Sequence, residues 1–398
     1  MNRPVFKYAC VLAIAILTAS STLFAQFVDK DFDKSLNVIN TAVPFLTIAP
    51  DARGGGMGDV GVSTSSDATS LFWNPAKYAF SEHRFGIQIS YVPWLTALVN
   101  DIGLASVYGY YKIDDKSAVA SSFRYFSLGD VKFYDIEGKS LGDFNPNELA
   151  LDATYSRKFS ERIAGAVAGR FIYSNLTQGQ GVDAHAGWSV AADVAFYYRL
   201  PVEVAALDGS HFNFGVNISN MGRKISYTNN MNYESFIPTT LSFGPSYEME
   251  IDSYNQLSVF LDISKLLVPT PPLYAVDEDG HLIPTPDGSF EIAKGKDNNV
   301  SMFKGMIQSF YDAPGGFKEE MQEIMWSFGA EYWYNKLFAI RGGYFLENKN
   351  KGNRQYLGLG ASIRYSMFDL GFSYIVPTNR MVSPQDNTLR FTLSLNFD

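Results

Sequence analysis

Three features of the sequence predict an all-β protein: a 14-stranded antiparallel transmembrane β-barrel of the outer membrane, its lumen plugged by an N-terminal segment. Apolar and polar residues alternate with period two in segment after segment from residue 85 onward, the mark of strands whose two faces meet different surroundings. The links between those segments are alternately tight and long, the sorting by side that outer-membrane barrels show. Charged residues are only 18% of the chain, aromatics are 15%, and 33 of 398 residues are Gly, against the roughly 25% charge of an ordinary soluble domain.

The same composition excludes several classes. A net charge of −9 leaves no basic footprint for nucleic acid. A chain this apolar buries too much surface to stay disordered. Cys10 is the only cysteine, so neither a disulfide framework nor Cys-based metal or redox chemistry is expected.

The chain opens with an export signal over residues 1–25. Arg3 and Lys7 form its basic start, Tyr8 to Leu17 its apolar stretch, and Ala25 its last residue. About ten apolar residues fall short of the twenty or so that a spanning helix needs. Removing the signal leaves 373 residues, a net charge of −11 and no thiol.

Residues 26–84 do not read as strands. They carry Arg53-Gly54-Gly55-Gly56-Met57-Gly58-Asp59, then Asp67-Ala68, then Phe72-Trp73-Asn74-Pro75-Ala76. No Gly-Lys-Ser/Thr follows the glycines and no apolar strand precedes them, so a phosphate cradle is not indicated. A turn-rich lumen plug is, because fourteen strands enclose more space than side chains alone can fill. Its expected structural residues are Arg53, Gly56, Met57, Gly58, Asp67, Trp73, Asn74 and Pro75.

The fourteen strand segments are about 85–92, 101–112, 116–127, 147–158, 162–174, 187–199, 211–219, 237–249, 254–265, 324–335, 337–347, 355–365, 367–376 and 387–397. Most have the length a tilted membrane strand needs. The last is the clearest: Leu389, Phe391, Leu393, Leu395 and Phe397 share one face, and Arg390, Thr392, Ser394 and Asn396 the other. Every second link is a periplasmic turn, and five of these six are short, Leu200–Ser210 being the exception. Aromatics at that boundary, Tyr110, Tyr111, Tyr155, Tyr197, Tyr198, Trp333, Tyr334, Phe338, Tyr365 and Phe397, suggest a girdle at headgroup level. Arg124, Asp152, Arg170, Asp193, Arg199, Asp262, Arg341, Arg364 and Arg390 fall on lumen faces, where ion pairs holding the plug explain them better than a selectivity path.

Leu266–Glu323 is the outlier among the links, 58 residues with a charge balance of −6. Loops this long in a compact domain are usually functional or disordered. The candidate partner-binding residues lie here: Pro271, Tyr274, Asp277, Glu278 and Asp279, then Met302, Phe303, Met306, Phe310 and Tyr311, which together with Ile307 recur at the spacing of a short amphipathic helix. A lid packed over its own barrel is the competing role. Asp277-Glu278-Asp279-Gly280 lacks the ligand spacing of an EF-hand. The four histidines, His83, His185, His211 and His281, offer neither a nucleophile–base pair nor zinc spacing. No cofactor and no catalytic residue is expected.

The order Ala52-Arg53…Gly56-Met57-Gly58…Asp67-Ala68…Phe72-Trp73-Asn74-Pro75-Ala76 before a fourteen-strand pattern resembles the FadL-like barrels, long-chain fatty acid transporters whose N-terminal segment plugs the lumen. The stretch from Leu46 to Asp59 is more similar to the PorV family of the type IX secretion system. That resemblance covers essentially the whole chain beyond the signal. It implies an outer-membrane shuttle that binds secreted cargo proteins through their C-terminal signal domain. It further implies docking onto the translocon barrel and onto a surface attachment complex that includes the sortase. The other reading is a FadL-like transporter for hydrophobic small molecules, which would need a continuous apolar pocket, a lateral opening and a movable N-terminus.

Overall fold

A computed structural model describes residues 36–94, 101–134, 137–176, 183–229, 234–286, 289–379 and 387–398. The expected export signal, with Cys10, lies outside the described residues. Fourteen strands form one closed antiparallel barrel in which every strand pairs with its neighbours in sequence. They are β1 (Phe85–Pro93), β2 (Ile102–Lys112), β3 (Ser117–Leu128), β4 (Asn147–Ser160), β5 (Ile163–Asn175), β6 (Gly187–Pro201) and β7 (Gly209–Gly222), followed by β8 (Thr240–Glu250), β9 (Asn255–Leu266), β10 (Ile324–Tyr334), β11 (Phe338–Leu346), β12 (Gln355–Tyr365), β13 (Phe368–Pro377) and β14 (Leu389–Phe397). β1 closes on β14 in a register running from Phe85↔Phe397 to Tyr91↔Phe391. Closure removes the free edges that lipid could not satisfy. Among the described residues no helix is long and apolar enough to cross a membrane.

Alternation decides which face each residue takes. Leu151, Val167, Val194, Ile340 and Leu393 are exposed on the outer face, while Asp152, Ala168, Asp193, Arg341 and Thr392 beside them are buried. The same rule corrects part of the aromatic girdle. Tyr110, Tyr197 and Trp333 are buried inside the wall, whereas Tyr111, Tyr155, Tyr334, Phe338, Tyr365 and Phe397 are exposed. Adjacent strand residues point to opposite faces, so of Tyr110–Tyr111 and Trp333–Tyr334 only one member each can reach lipid. Tight turns are built to match: Asn335 and Lys336 both take left-handed backbone, at φ 53° and 52°, the geometry of a two-residue hairpin that follows strand twist.

Two links contain ribbons that the sequence reads only as loop. Val131–Tyr134 pairs with Ser140–Phe144, and Leu273–Tyr274 pairs with Ile292–Lys294. The N-terminal segment runs inside the barrel. Helix α1 (Ala52–Gly56) packs on β11–β14, and the 3-10 helix Pro75–Phe80 packs on β2–β6 across the lumen. Between them lies the short helix α2 (Ser70–Trp73).

Candidate functional site: a plugged lumen under an extracellular lid

Each plug residue singled out from the sequence has a defined contact. Arg53 clamps the segment to the wall: it donates to both carboxylate oxygens of Glu331 at 3.1 and 2.8 Å, to Asp67 at 2.9 Å and to Ser65 Oγ at 2.8 Å. Arg341 of β11 holds the same Glu331 at 2.5 Å. Asp51 caps α1, accepting from Gly54 N at 2.7 Å, and accepts from Trp73 Nε1 at 2.8 Å. Asn74 donates to Val62 O at 2.9 Å and to Phe196 O of the wall at 3.0 Å, while its Oδ1 accepts from Ala76 N. Pro75 opens the 3-10 helix, where a missing N–H costs nothing.

Glycines let plug and wall backbones touch. A Cβ on Gly343 of β11 would lie 2.0 Å from the Met57 carbonyl, and one on Gly56 would lie 3.0 Å from Gly360. Gly58 takes φ +73° with its backbone against Tyr344, where a Cβ would lie 2.6 Å from Tyr344 N, a conformation and a contact that Gly adopts at little cost. Met57 is fully buried with Val60 and Phe260.

The lumen charges form pairs of two kinds. Arg124, Asp152, Arg170 and Asp193 neutralise one another along the wall, Arg170 bonding Asp152 and lying 2.9 Å from Asp193. The others reach the plug: Arg390 donates to Ala49 O at 3.1 Å, and Asp262 accepts from Gly61 N and Val62 N at 2.7 and 2.8 Å. Arg199 and Arg364 are half-buried at the periplasmic ends, and Arg364 pairs with Asp369. The sequence reading missed Glu331, whose place opposite a lumen-facing Arg341 in the adjoining strand was the available signal. It missed Lys77 too, buried within the plug and donating to Gly61 O and Thr64 Oγ1 at 2.8 Å each.

The plug separates two cavities that share no lining residue. The periplasmic one, about 190 Å³, is polar, with Arg53, Glu331, Arg341 and Asp369 among its walls. The other, about 380 Å³, lies toward the long-loop ends of β7–β12 and is bounded by Leu46, Phe72, Trp73, Met325 and Phe345 among others.

The long loop forms a lid on the long-loop side, which is the cell-surface side of an outer-membrane barrel. Two short helices, α3 (Met302–Gln308) and α4 (Phe317–Gln322), sit on a buried ionic base. Lys265 at the end of β9 bonds Glu320 at 3.2 Å and also Glu323. Lys351, from the β11–β12 loop, bonds Glu319 at 2.6 Å and Glu323 at 3.0 Å. Thr270 Oγ1 donates to Glu323 at 2.6 Å, and Asn37 of the N-terminal segment donates to Glu319 at 3.0 Å. Burial and the nearby Glu320 carboxylate push Asp312 up to about 6. Burial also opposes the charge on Glu319, but bonds from Lys351 and Gly315 N outweigh it and hold that carboxyl below its ordinary value.

Above this base, apolar side chains face solvent. Phe303 and Ile307 are one turn apart on α3 at 68% and 66% exposure, and Phe317 and Met321 on α4 stand at 79% and 47%. Phe310 and Tyr311 follow α3 and are also exposed, whereas Met302 and Met306 are half-buried. Tyr274, Asp277, Glu278 and Asp279 lie on the separate ribbon, exposed, and Pro271 is half-buried at its root. Asp277, Asp279 and His281 could bring ligand atoms within 4.8 Å of one another, but Asp277 Oδ1 already accepts from Asp279 N and His281 N. Ile307 shares the helical spacing read for this stretch from the sequence, whereas Phe317 and Met321 were not among the candidates; they repeat at i, i+4 in the sequence, too short a stretch to signal a helix.

A closed, lipid-faced barrel with a filled lumen and a surface lid defines an outer-membrane barrel of FadL-like architecture. A mutant form of TodX described as a monoaromatic hydrocarbon channel is similar in fold, with a TM-score of 0.50 and 11% identity over 87% of this chain and 99% of that one. The Pseudomonas putida toluene transporter TodX gives a TM-score of 0.44 at 10% identity, over 90% of this chain and 98% of that one. A search of curated proteins found no match. The family model described as type IX secretion system protein PorV matches residues 31–273, more than half of the sequence. The chain belongs to the PorV family.

Proposed function

We propose that this barrel binds proteins secreted by the type IX system, through their C-terminal signal domain, and carries them from the translocon barrel to the attachment complex and its sortase. The observation that carries the reading is the lid: exposed apolar residues Phe303, Ile307, Phe317 and Met321 stand on a base fixed by Lys265 and Lys351. Soluble surfaces rarely expose such side chains in groups without a partner. A rigid base keeps the ordering cost of binding low. Permeation of small molecules is the weaker reading, because the plug stands between two cavities with no common wall.

The test uses the full-length protein in nanodiscs and a purified C-terminal signal domain of a secreted protein. Replacing Phe303, Ile307 and Phe317 together by Ser should weaken binding at least tenfold while the barrel keeps its heat-modifiable gel shift. Unchanged binding in a correctly folded variant would refute the assignment.

A further inference from the structure

Two exposed tyrosines of the periplasmic girdle each carry a guanidinium. Tyr111 on β2 and Tyr155 on β4 lie in one row of the outer face, with Val119 of β3 in register between them. Two strand spacings set their backbones about 10 Å apart. Arg84, at the entry to β1, donates through Nη2 to the Tyr111 hydroxyl at 2.9 Å, and its Cζ lies 5.5 Å from the centre of that ring. Arg157 donates through Nη1 to the Tyr155 hydroxyl at 3.3 Å, which in turn donates to Ser117 Oγ of β3 at 3.2 Å. Both arginines are exposed, and neither has a carboxylate partner among the described residues. Nearby acids have other work: Asp114 Oδ1 caps its own turn, accepting from Lys116 N and Ser117 N at 2.8 and 2.7 Å, and Asp398 pairs with His83 at 2.6 Å.

A guanidinium on the lipid face costs little only near the membrane boundary, and the anion available at that depth is the lipid phosphate. Arginine suits it, because its planar fork bonds two phosphate oxygens at once. Each tyrosine hydroxyl takes up one N–H of its arginine and fixes the group at headgroup level, leaving the other donors for a ligand. The surface beyond fits a lipid tail. In the next row toward mid-membrane, Gly109, Ser121 and Ala153 stand in register. A Cβ on Gly109 would meet nothing nearer than Gly86 O at 3.8 Å, and Ser121 Oγ is turned onto Asp152 O at 2.8 Å. This shallow strip lies between the tyrosine row and the exposed row of Val107, Phe123 and Leu151. We infer that the β1–β4 sector is a docking surface for anionic phospholipids of the periplasmic leaflet, one phosphodiester on Arg84 and a second on Arg157. The two contacts are independent of each other and of what the lid captures.

The experiment is native mass spectrometry of the full-length protein released from detergent micelles doped equally with phosphatidylglycerol and phosphatidylcholine. Two phosphatidylglycerols should be retained, each favoured about fivefold over phosphatidylcholine, the worth of one arginine at an anionic headgroup. Arg84→Gln and Arg157→Gln should each lose one of them, and the double variant both, with the heat-modifiable gel shift unchanged. Arg162→Gln removes the same charge from the adjoining turn and should lose neither. Should an arginine variant fail to fold, Tyr111→Phe or Tyr155→Phe frees the guanidinium without discharging it and should weaken the corresponding lipid. Equal retention of the two lipids, two phosphatidylglycerols on a folded double variant, or an equal loss in Arg162→Gln would each overturn the inference. Displacement of the lipid by millimolar inorganic phosphate would overturn it as well, by showing a site for the free anion.

Discussion

Removing the Arg53 guanidinium should release the plug while leaving the barrel intact. Arg53→Met keeps the apolar stem and deletes bonds to Glu331, Asp67 and Ser65. Breaking a buried ion pair from one side costs about 3–5 kcal/mol. Here the abandoned acids are partly provided for. Glu331 keeps Arg341, and Asp67 keeps Thr69 N and Oγ1 at 3.0 and 2.8 Å. The low end therefore applies, about 3 kcal/mol, which is roughly a hundredfold shift in the docking equilibrium of the plug. Hydrogen exchange in nanodiscs reads this directly. Gly61 N and Val62 N, protected by Asp262, and Asp59 N, protected by Gly54 O, should exchange about a hundredfold faster, with the β12 ladder unchanged. If those amides do not accelerate, Arg53 is not the clamp. If plug and ladder accelerate together, the plug is not a separable unit.

Three further outcomes follow from the same geometry. Gly343→Val should undock the plug even with Arg53 present, because its Cβ would lie 2.0 Å from the Met57 carbonyl; protease cleavage between residues 52 and 80 would report it. Asp312 gives the lid a pH dependence. Its folded pKa of about 6 exceeds the ordinary 3.8, so the folded lid binds the proton more tightly and loses stability as pH rises from 3.8 to about 6. Asp312→Asn should flatten the profile of lid exchange over that window and slow exchange at pH 7, whereas the lowered Glu319 acts only at the acid end, where protonation weakens the lid. Val194→Arg places a charge on the outer face near the middle of β6, and should cost about 2–4 kcal/mol in denaturant unfolding from liposomes; an unchanged midpoint would mean that face does not meet lipid.

How much of this was legible in the sequence depends on the range of the interaction. Period two is written into neighbouring residues, so Leu389 to Phe397 announces its own strand and its own two faces before anything packs. The same local rule, applied to Tyr110–Tyr111, separates a lumen residue from a lipid residue. Strand number, turn sides and the place of the plug motif follow from such short-range patterns. The clamp does not: Arg53 and Glu331 are 278 positions apart, and nothing near either one names the other. Nor do Lys265, Lys351 and Glu319 declare a latch, because their pairing depends on how β9, the β11–β12 loop and α4 are brought together by barrel closure. The Oδ1 atoms of Asn217 and Asp262, without a hydrogen-bond partner among the described residues, are further still from sequence. A hydrogen-bonding group is unmet only relative to everything around it, so closure of the barrel on its plug had to settle every other partner first.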